Sequence, residues 1–189
     1  KMCKLDADKT AVVLGCGMEG LLTVAALKTL GINKIIVIDK ESEKSRAMEF
    51  GAWEFIGSHG KNGVAGVKDK IRVAAGDMAD AVFICTDSPM GRNVARRFMK
   101  NSGSICEMGF LCGWRRTPTA RYFEDSMPAG GRFYAARDYE NCMNFLAKAV
   151  EMKLPLYKLI THRYKLEEIN EAMWTVVREE GLGIAVFNR

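Results

Sequence analysis

Two periods of apolar residues alternate along this chain. Runs of consecutive apolar residues predict buried parallel strands, whereas apolar residues spaced three or four positions apart predict helices. The run at 11–14 ends at Gly15, and leucine, valine and alanine then recur at helical spacing over 21–30. Gly31 follows, and glycine is the residue that most often ends a helix. The predicted strands are 11–14, 34–38, 53–56, 81–85, 104–108, 132–136 and, last, 184–187.

This order of elements predicts an α/β fold. Strands joined by single helices form an open parallel sheet with helices on both faces, which is the doubly wound Rossmann arrangement. We expect six strands in this sheet. The alternation stops near Pro155, after which a short helix–strand extension follows. We therefore divide the chain into a domain over 1–155 and a C-terminal segment over 156–189.

Composition and charge narrow the function classes. The net charge is +5 over 189 residues, but basic and acidic residues are interleaved, which argues against a nucleic-acid surface. No apolar run reaches the ~18 residues that a membrane span requires. The six cysteines include no C-x-x-C pair, so we expect neither a disulfide framework nor a zinc knuckle. We accordingly expect a protein of the cytoplasm, where thiols stay reduced.

The sequence Gly-Cys-Gly-Met-Glu-Gly at 15–20 is the sharpest motif. It follows the first predicted strand and opens the first predicted helix, which is the context in which G-x-G-x-x-G binds a dinucleotide. Gly15 allows the tight turn, Gly17 lets a pyrophosphate approach the backbone, and Gly20 lets helix and strand pack closely. Met18 and Glu19 lie at the helix start, where backbone N–H groups hold phosphates. Glu19 is unexpected, because a carboxylate there repels the phosphates unless it faces solvent or a lysine.

Asp39 supplies the second half of this signal. It ends the second predicted strand, where a carboxylate accepts hydrogen bonds from the adenosine ribose. The same charge repels a 2′-phosphate, which favours NAD over NADP. Lys40 and Lys44 follow closely and keep NADP as an alternative. The alternative to a dinucleotide site is a purely structural role, in which the glycines form a turn and Asp39 caps a helix.

Further contacts are expected where the other strands end. Ligands of open α/β sheets lie at the carboxyl ends of the strands. This rule points to Thr86 and its neighbours after the fourth predicted strand, and to Gly109 and Phe110 after the fifth. A helix N-terminus is an equally good explanation of residues 86–88, and Phe110 also suits a core position or a subunit contact.

The chain resembles the medium-chain dehydrogenases, typified by zinc alcohol, sorbitol and threonine dehydrogenases. The resemblance covers nearly all of residues 10–187, and its most specific part is the C-terminal Leu-Ile-Thr-His, followed by Leu-Glu-Glu-Ile-Asn-Glu-Ala. The matching stretches are 13–17, 38–39, 48–52, 103–109, 159–162 and 166–172.

The resemblance implies a role for each motif. The glycine motif would bind the pyrophosphate, Asp39 and Lys44 the adenosine ribose, and Thr86 and Phe110 would flank the nicotinamide. Residues 1–155 would be the NAD(P)-binding domain. The strand at 132–136 would pair with its copy in a second subunit, so a homodimer is implied.

The family's zinc ligands and proton relay lie mostly in an N-terminal catalytic domain that has no counterpart in these residues. His59 and His162 are the two histidines, and neither belongs to a ligand cluster. Residues 156–189 would pack on the catalytic domain. The full enzyme would transfer hydride between an alcohol or carbonyl substrate and NAD(H), whereas this chain alone would bind NAD without catalysis.

Two other classes of protein share part of this pattern. A non-catalytic NAD-sensing Rossmann module also explains the glycine motif, but it gives the segment at 159–187 no role. A methyltransferase also places an acid after the second strand, but its glycine motif is denser than that at 15–20.

Overall fold

The computed structural model describes residues 5–58, 63–86, 89–108, 136, 138–178 and 181–187. The chain divides into two compact units, Lys1–Leu154 and Pro155–Arg189. This division falls beside Pro155, where the alternation of strands and helices stops in the sequence.

A parallel sheet forms the centre of the first unit. Its strand order is β3-β2-β1-β4-β5. Strands β2 and β3 therefore lie on one side of β1, and β4 and β5 lie on the other. Crevices for ligands lie at such a switch point, outside the carboxyl ends of the strands. The strands are β1 Thr10–Leu14, β2 Lys34–Asp39, β3 Glu54–Gly57, β4 Ala79–Ile84 and β5 Met99–Glu107.

The sheet contains five strands among the described residues, so the prediction of six is corrected. Four residues of the predicted sixth strand, 132–135, lie outside the described residues. Ala136 lies in a turn, and its carbonyl accepts a hydrogen bond from the Tyr139 N–H at 3.2 Å. The apolar residues at 132–136 predicted a strand that reaches Ala136. An apolar run does not show where the turn into the next helix begins, and Ala136 belongs to that turn.

Helices connect the strands. In α1 the prediction of a glycine stop is confirmed, because Gly31 has φ 85° and its N–H donates to the carbonyl of Lys28. Short 3-10 turns extend two of the helices, at Glu41–Glu43 before α2 and at Arg96–Phe98 after α4. The helices are α1 Met18–Thr29, α2 Lys44–Glu49, α3 Gly63–Ala75, α4 Pro89–Ala95 and α5 Asp138–Glu151.

The core lies on both faces of the sheet. Val12 and Ile36 are fully buried in a cluster that also contains Val67 of α3 and Phe98. Their neighbour Val13 points to the opposite face and is also fully buried. Burial of both faces explains why these strands are continuous apolar runs rather than alternating ones.

The second unit is a pair of parallel strands with one helix. Strand β6 spans Ile160–Lys165, α6 spans Ile169–Val177, and β7 spans Gly183–Phe187. The sequence predicted a helix and a last strand in this extension, but it did not predict β6. The Tyr164 hydroxyl of β6 lies 2.7 Å from the Thr175 hydroxyl of α6, which ties helix to strand. No helix in the described part of the chain has the length and apolar character to cross a membrane.

Asp80 joins three strands at their amino ends. One carboxylate oxygen accepts a hydrogen bond from the Thr10 N–H of β1 at 2.9 Å, and the other accepts one from Lys100 of β5 at 3.0 Å. Burial alone would raise the pKa of Asp80, but these two hydrogen bonds and the charges of Lys100 and Lys9 together lower it below 3.8. The folded state therefore favours the carboxylate.

Replacing Asp80 by asparagine is expected to lower the free energy of unfolding by about 1–2 kcal/mol at pH 7. Because the folded pKa is the lower one, the stabilisation is complete above the unfolded value of 3.8 and is lost as pH falls through the folded pKa. The difference between wild type and Asp80→Asn should therefore shrink in acid. Urea unfolding at several pH values measures it. Asp69→Asn, at an exposed position of α3, is the matched control, and an equal loss in that variant would contradict the prediction.

Candidate functional site

The turn between β1 and α1 depends on two glycines. Gly15 has φ 99°, a conformation that favours glycine, and a Cβ there would lie 2.5 Å from the carbonyl oxygen of Cys85. A Cβ at Gly20 would overlap the carbonyl oxygen of Gly15 itself. The Gly15 N–H donates to the carbonyl of Ile38 at 3.0 Å, which fastens the turn to the end of β2. These contacts fit the packing roles that the motif predicted.

Gly17 is different because it faces open space. It precedes α1 with φ −69°, and no atom of the described residues lies within 4 Å of a Cβ built there. The first turn of a helix carries backbone N–H groups without partners inside the helix, and its positive dipole end attracts anions. The open space at Gly17 therefore lies where an anion can approach these groups.

Asp39 faces this turn. Its carboxylate accepts a hydrogen bond from the Cys16 N–H at 2.5 Å and a second from the Lys40 N–H at 2.7 Å. The end of β2 and the glycine turn are thus linked through one carboxylate. A carboxylate with further lone pairs at this edge can also accept hydrogen bonds from a ligand hydroxyl.

A cavity of about 500 Å³ opens beside the turn. This volume is in the range of small-molecule sites, which combine apolar walls with a few polar groups. The polar groups are at the ends of strands, and the apolar wall comes from α3, from α4 and from the 3-10 turn after α4. The lining includes Gly15, Asp39, Lys40, Ser58, Thr86, Gly91, Val64, Val67, Val94 and Phe98.

The structure brings together some of the predicted site residues and not others. Gly15, Asp39, Lys40 and Thr86 line the cavity, whereas Lys44 does not. The Lys44 ammonium instead lies 3.8 Å from the Glu41 carboxylate. Gly109 and Phe110 lie outside the described residues.

The helix-start residues Met18 and Glu19 are exposed. The Glu19 backbone carbonyl accepts a hydrogen bond from the Thr23 hydroxyl at 2.8 Å, in the first turn of α1. Because the Glu19 side chain is in solvent, water screens its charge from an anion at the turn.

The apolar wall of the cavity was not predicted from the sequence. Val64, Val94 and Phe98 line the cavity, but their spacing in the sequence is that of ordinary helix–sheet packing residues. Ser58 was also missed, and its N–H donates to the backbone carbonyl of Asp39 at 2.7 Å. Its position just after β3 is a usable signal, because the carboxyl ends of neighbouring parallel strands meet at one edge.

Two thiols beside the turn are inert. Burial, together with the negative charges of Asp39 and Glu43, raises the pKa of Cys16 to about 12. Burial likewise raises the pKa of Cys85 to about 11, with a smaller contribution from the charge of Glu19. Thiolates, not thiols, are the nucleophiles and metal ligands, so neither side chain serves in those roles at neutral pH.

Cys106, at the end of β5, is disulfide-bonded, which the cysteine spacing did not predict. Sequence spacing alone does not determine which thiols meet in the fold, because geometry governs the pairing. The expectation of thiols that are all reduced is therefore corrected.

No metal site is found in the part of the chain that the structure describes. No three histidine, cysteine, aspartate or glutamate side chains are grouped there so that they could hold an ion. His162 Nδ1 lies 3.0 Å from the Thr161 hydroxyl, and its ring stacks on Tyr164 with 6.2 Å between ring centroids. His59 lies outside the described residues.

Comparison with known proteins places this geometry in a family. Residues 20–148 match the family of zinc-binding dehydrogenases. Sorbitol dehydrogenase 1 of Saccharomyces cerevisiae is 29% identical over 180 residues, which are 91% of this chain and 49% of the yeast protein. The chain thus spans about half the length of the curated relatives it matches.

Solved structures share the fold. An alcohol dehydrogenase from Thermotoga maritima superposes with a TM-score of 0.81 at 22% identity, covering 96% of this chain and 50% of the other. A short chain alcohol dehydrogenase from Escherichia coli, complexed with cofactor NADH, has a TM-score of 0.73 at 20% identity, over 94% of this chain and 51% of its own.

The family match covers more than half of the chain, and it includes α1 from Gly20 onward, the end of β2 and the apolar wall of the cavity. The resemblance to medium-chain dehydrogenases is confirmed. This chain belongs to the zinc-binding dehydrogenase family.

Proposed function

We propose that this chain binds NAD(H) at the turn between β1 and α1, as the cofactor-binding part of an alcohol or polyol oxidoreductase. The observation that carries the proposal is the hydrogen bond from the Cys16 N–H to the Asp39 carboxylate. This contact brings the Asp39 carboxylate, which we assign to the ribose, beside a glycine turn with open space at Gly17. A pyrophosphate and its neighbouring ribose require this combination.

Each part of the cofactor has a complementary group. The pyrophosphate would lie at Gly17 against the start of α1, and the adenosine ribose hydroxyls would donate to Asp39. The adenine would occupy the cavity between Val64 and Val94, whose side chains supply an apolar wall. Thr86, after β4, would lie toward the nicotinamide, and Phe110 remains a prediction for the same end.

Asp39 also supports NAD over NADP. Its carboxylate accepts two backbone hydrogen bonds, which hold it in place at the end of β2. A fixed negative charge there opposes a 2′-phosphate. The E. coli neighbour that is complexed with NADH supports the same assignment.

The bound cofactor would supply the hydride chemistry. The residues described here would fix its position and orientation. In a zinc-binding dehydrogenase the metal acts as a Lewis acid on the substrate oxygen. The described residues do not provide a site for that metal, so we assign zinc binding to other parts of the complete enzyme and expect no catalysis by this chain alone.

We further propose that the C-terminal unit packs on the catalytic part of the complete enzyme. Its helix α6 presents large apolar side chains to solvent, among them Met173, Trp174 and Val177. Such a contiguous apolar surface marks an interaction site. Pairing of the 132–136 segments in a homodimer, and a cytoplasmic location, stay predictions.

Isothermal titration of the purified chain with NADH tests the cofactor assignment. We expect saturable binding with a Kd below about 1 mM, and weaker binding of NADPH. S-adenosylmethionine, the ligand of the methyltransferase alternative, should give no saturable heat. Absence of NADH binding at several millimolar cofactor would overturn the proposal.

A further inference from the structure

A second carboxylate lies at the ribose end of the site. Glu41 follows Asp39 by two residues and begins the 3-10 turn before α2. Its carboxylate lies against Gly57, where a Cβ would come within 2.6 Å of the Glu41 oxygen Oε2. Gly57 is the strand partner of Asp39, and the next residue, Ser58, donates its N–H to the Asp39 carbonyl. Glu41 therefore lies over the end of β3, beside the strand end that carries Asp39.

Glu41 also forms an ion pair with Lys44, the first residue of α2. Its oxygen Oε1 lies 3.8 Å from the Lys44 ammonium, one helical turn along the chain. Arg46 is paired in the same way with Glu43 at 2.5 Å. Lys40 is the one basic residue among the described residues that line the cavity. A phosphate at this edge would therefore lie near the carboxylates of Asp39 and Glu41, and Lys40 is the basic residue of the cavity lining that could attract it.

We propose that Glu41 is a second determinant of cofactor choice, acting with Asp39 against the 2′-phosphate of NADP(H). This inference depends on the proposed function, because it concerns the ribose end of the same site. Glu41 acts in two ways. Its own charge repels the phosphate, and its ion pair with Lys44 weakens the attraction between the Lys44 ammonium and the phosphate. The side chain of Glu41 is 71% exposed, so water screens both effects and limits them to a few-fold change in affinity.

Glu41→Gln is the direct test, because it removes the charge and keeps the shape against Gly57. The Kd values of NADH and NADPH are measured by titration for wild type and variant at low ionic strength. We expect the Kd of NADPH to fall about fivefold and that of NADH to stay within about twofold. The gain for NADPH should decrease in 0.5 M salt, since screening weakens exposed charges.

Glu151→Gln is the matched control, since it changes the net charge equally at the exposed end of α5. An equal fall in the Kd of NADPH in that variant would show a general effect of net charge and would overturn the inference. An unchanged ratio of NADPH to NADH affinity in Glu41→Gln would overturn it as well, while NADH binding by the wild type would leave the proposed function standing. If the wild-type chain binds no NADH, both proposals fail.

Discussion

Replacing Gly20 by alanine is expected to lower the free energy of unfolding by about 3 kcal/mol or more. A Cβ at this position overlaps the carbonyl oxygen of Gly15 and lies 3.5 Å from the Cys85 side chain. The overlapping atom belongs to the backbone of a turn that is fastened to β2 through the Gly15 N–H. The turn therefore has little freedom to move away, and the helix must shift from the sheet.

Gly17→Ala is the matched comparison, because it adds the same methyl group three positions before Gly20, at the residue that precedes α1. In the part of the chain that the structure describes, no atom lies within 4 Å of that Cβ. The free energy of unfolding should therefore change by less than about 1 kcal/mol, the usual cost of alanine at a helix N-cap. The Kd of NADH should instead rise about tenfold, because the methyl group occupies the space that the pyrophosphate must approach.

Chemical denaturation and NADH titration of both variants separate packing from binding. A stable Gly20→Ala protein would show that helix and turn adjust more easily than the contacts indicate. Unchanged NADH affinity in Gly17→Ala would place the pyrophosphate elsewhere. The two glycines would then have no separable roles in packing and in binding.

The parts of the fold that the sequence predicted are those determined by local rules. Residues 11–14 and 34–38 are continuous apolar runs because both faces of β1 and β2 are buried. Gly31 ends α1 because its φ of 85° is costly for other residues. The acid at 39 meets the glycine turn because β1 and β2 are neighbours, which the order of elements already implied.

The parts that the sequence did not predict depend on contacts between distant segments. Val64 and Phe98 are 34 positions apart, and an apolar residue that lines a cavity has the same pattern as one in the core. Strand β6 carries alternating exposed residues such as Thr161 and Arg163, so no apolar run indicated it. Lys44 was assigned to the ribose from resemblance, whereas the ion pair with Glu41 depends on side-chain rotamers that a sequence pattern does not report.

Asp39→Asn is expected to raise the Kd of NADH about ten- to a hundredfold. The wild-type carboxylate accepts hydrogen bonds from two backbone N–H groups and retains lone pairs for the ribose hydroxyls. Asparagine supplies one oxygen, and its NH₂ group must face either a backbone donor or a ribose hydroxyl. Loss of one hydrogen bond to a charged acceptor, about 1.5–3 kcal/mol, accounts for the range.

In the same variant, the ratio of the NADPH Kd to the NADH Kd should be smaller than in the wild type, because the charge opposing the 2′-phosphate is gone. Titration with both cofactors measures this ratio. The control Asp69→Asn removes an exposed carboxylate from α3 and should leave both Kd values unchanged. An unaltered NADH affinity in Asp39→Asn, in a protein that still unfolds cooperatively, would mean that the acid serves the turn alone. The link between Asp39 and Cys16 would then be a structural contact, and the ribose would have to bind elsewhere on the sheet edge.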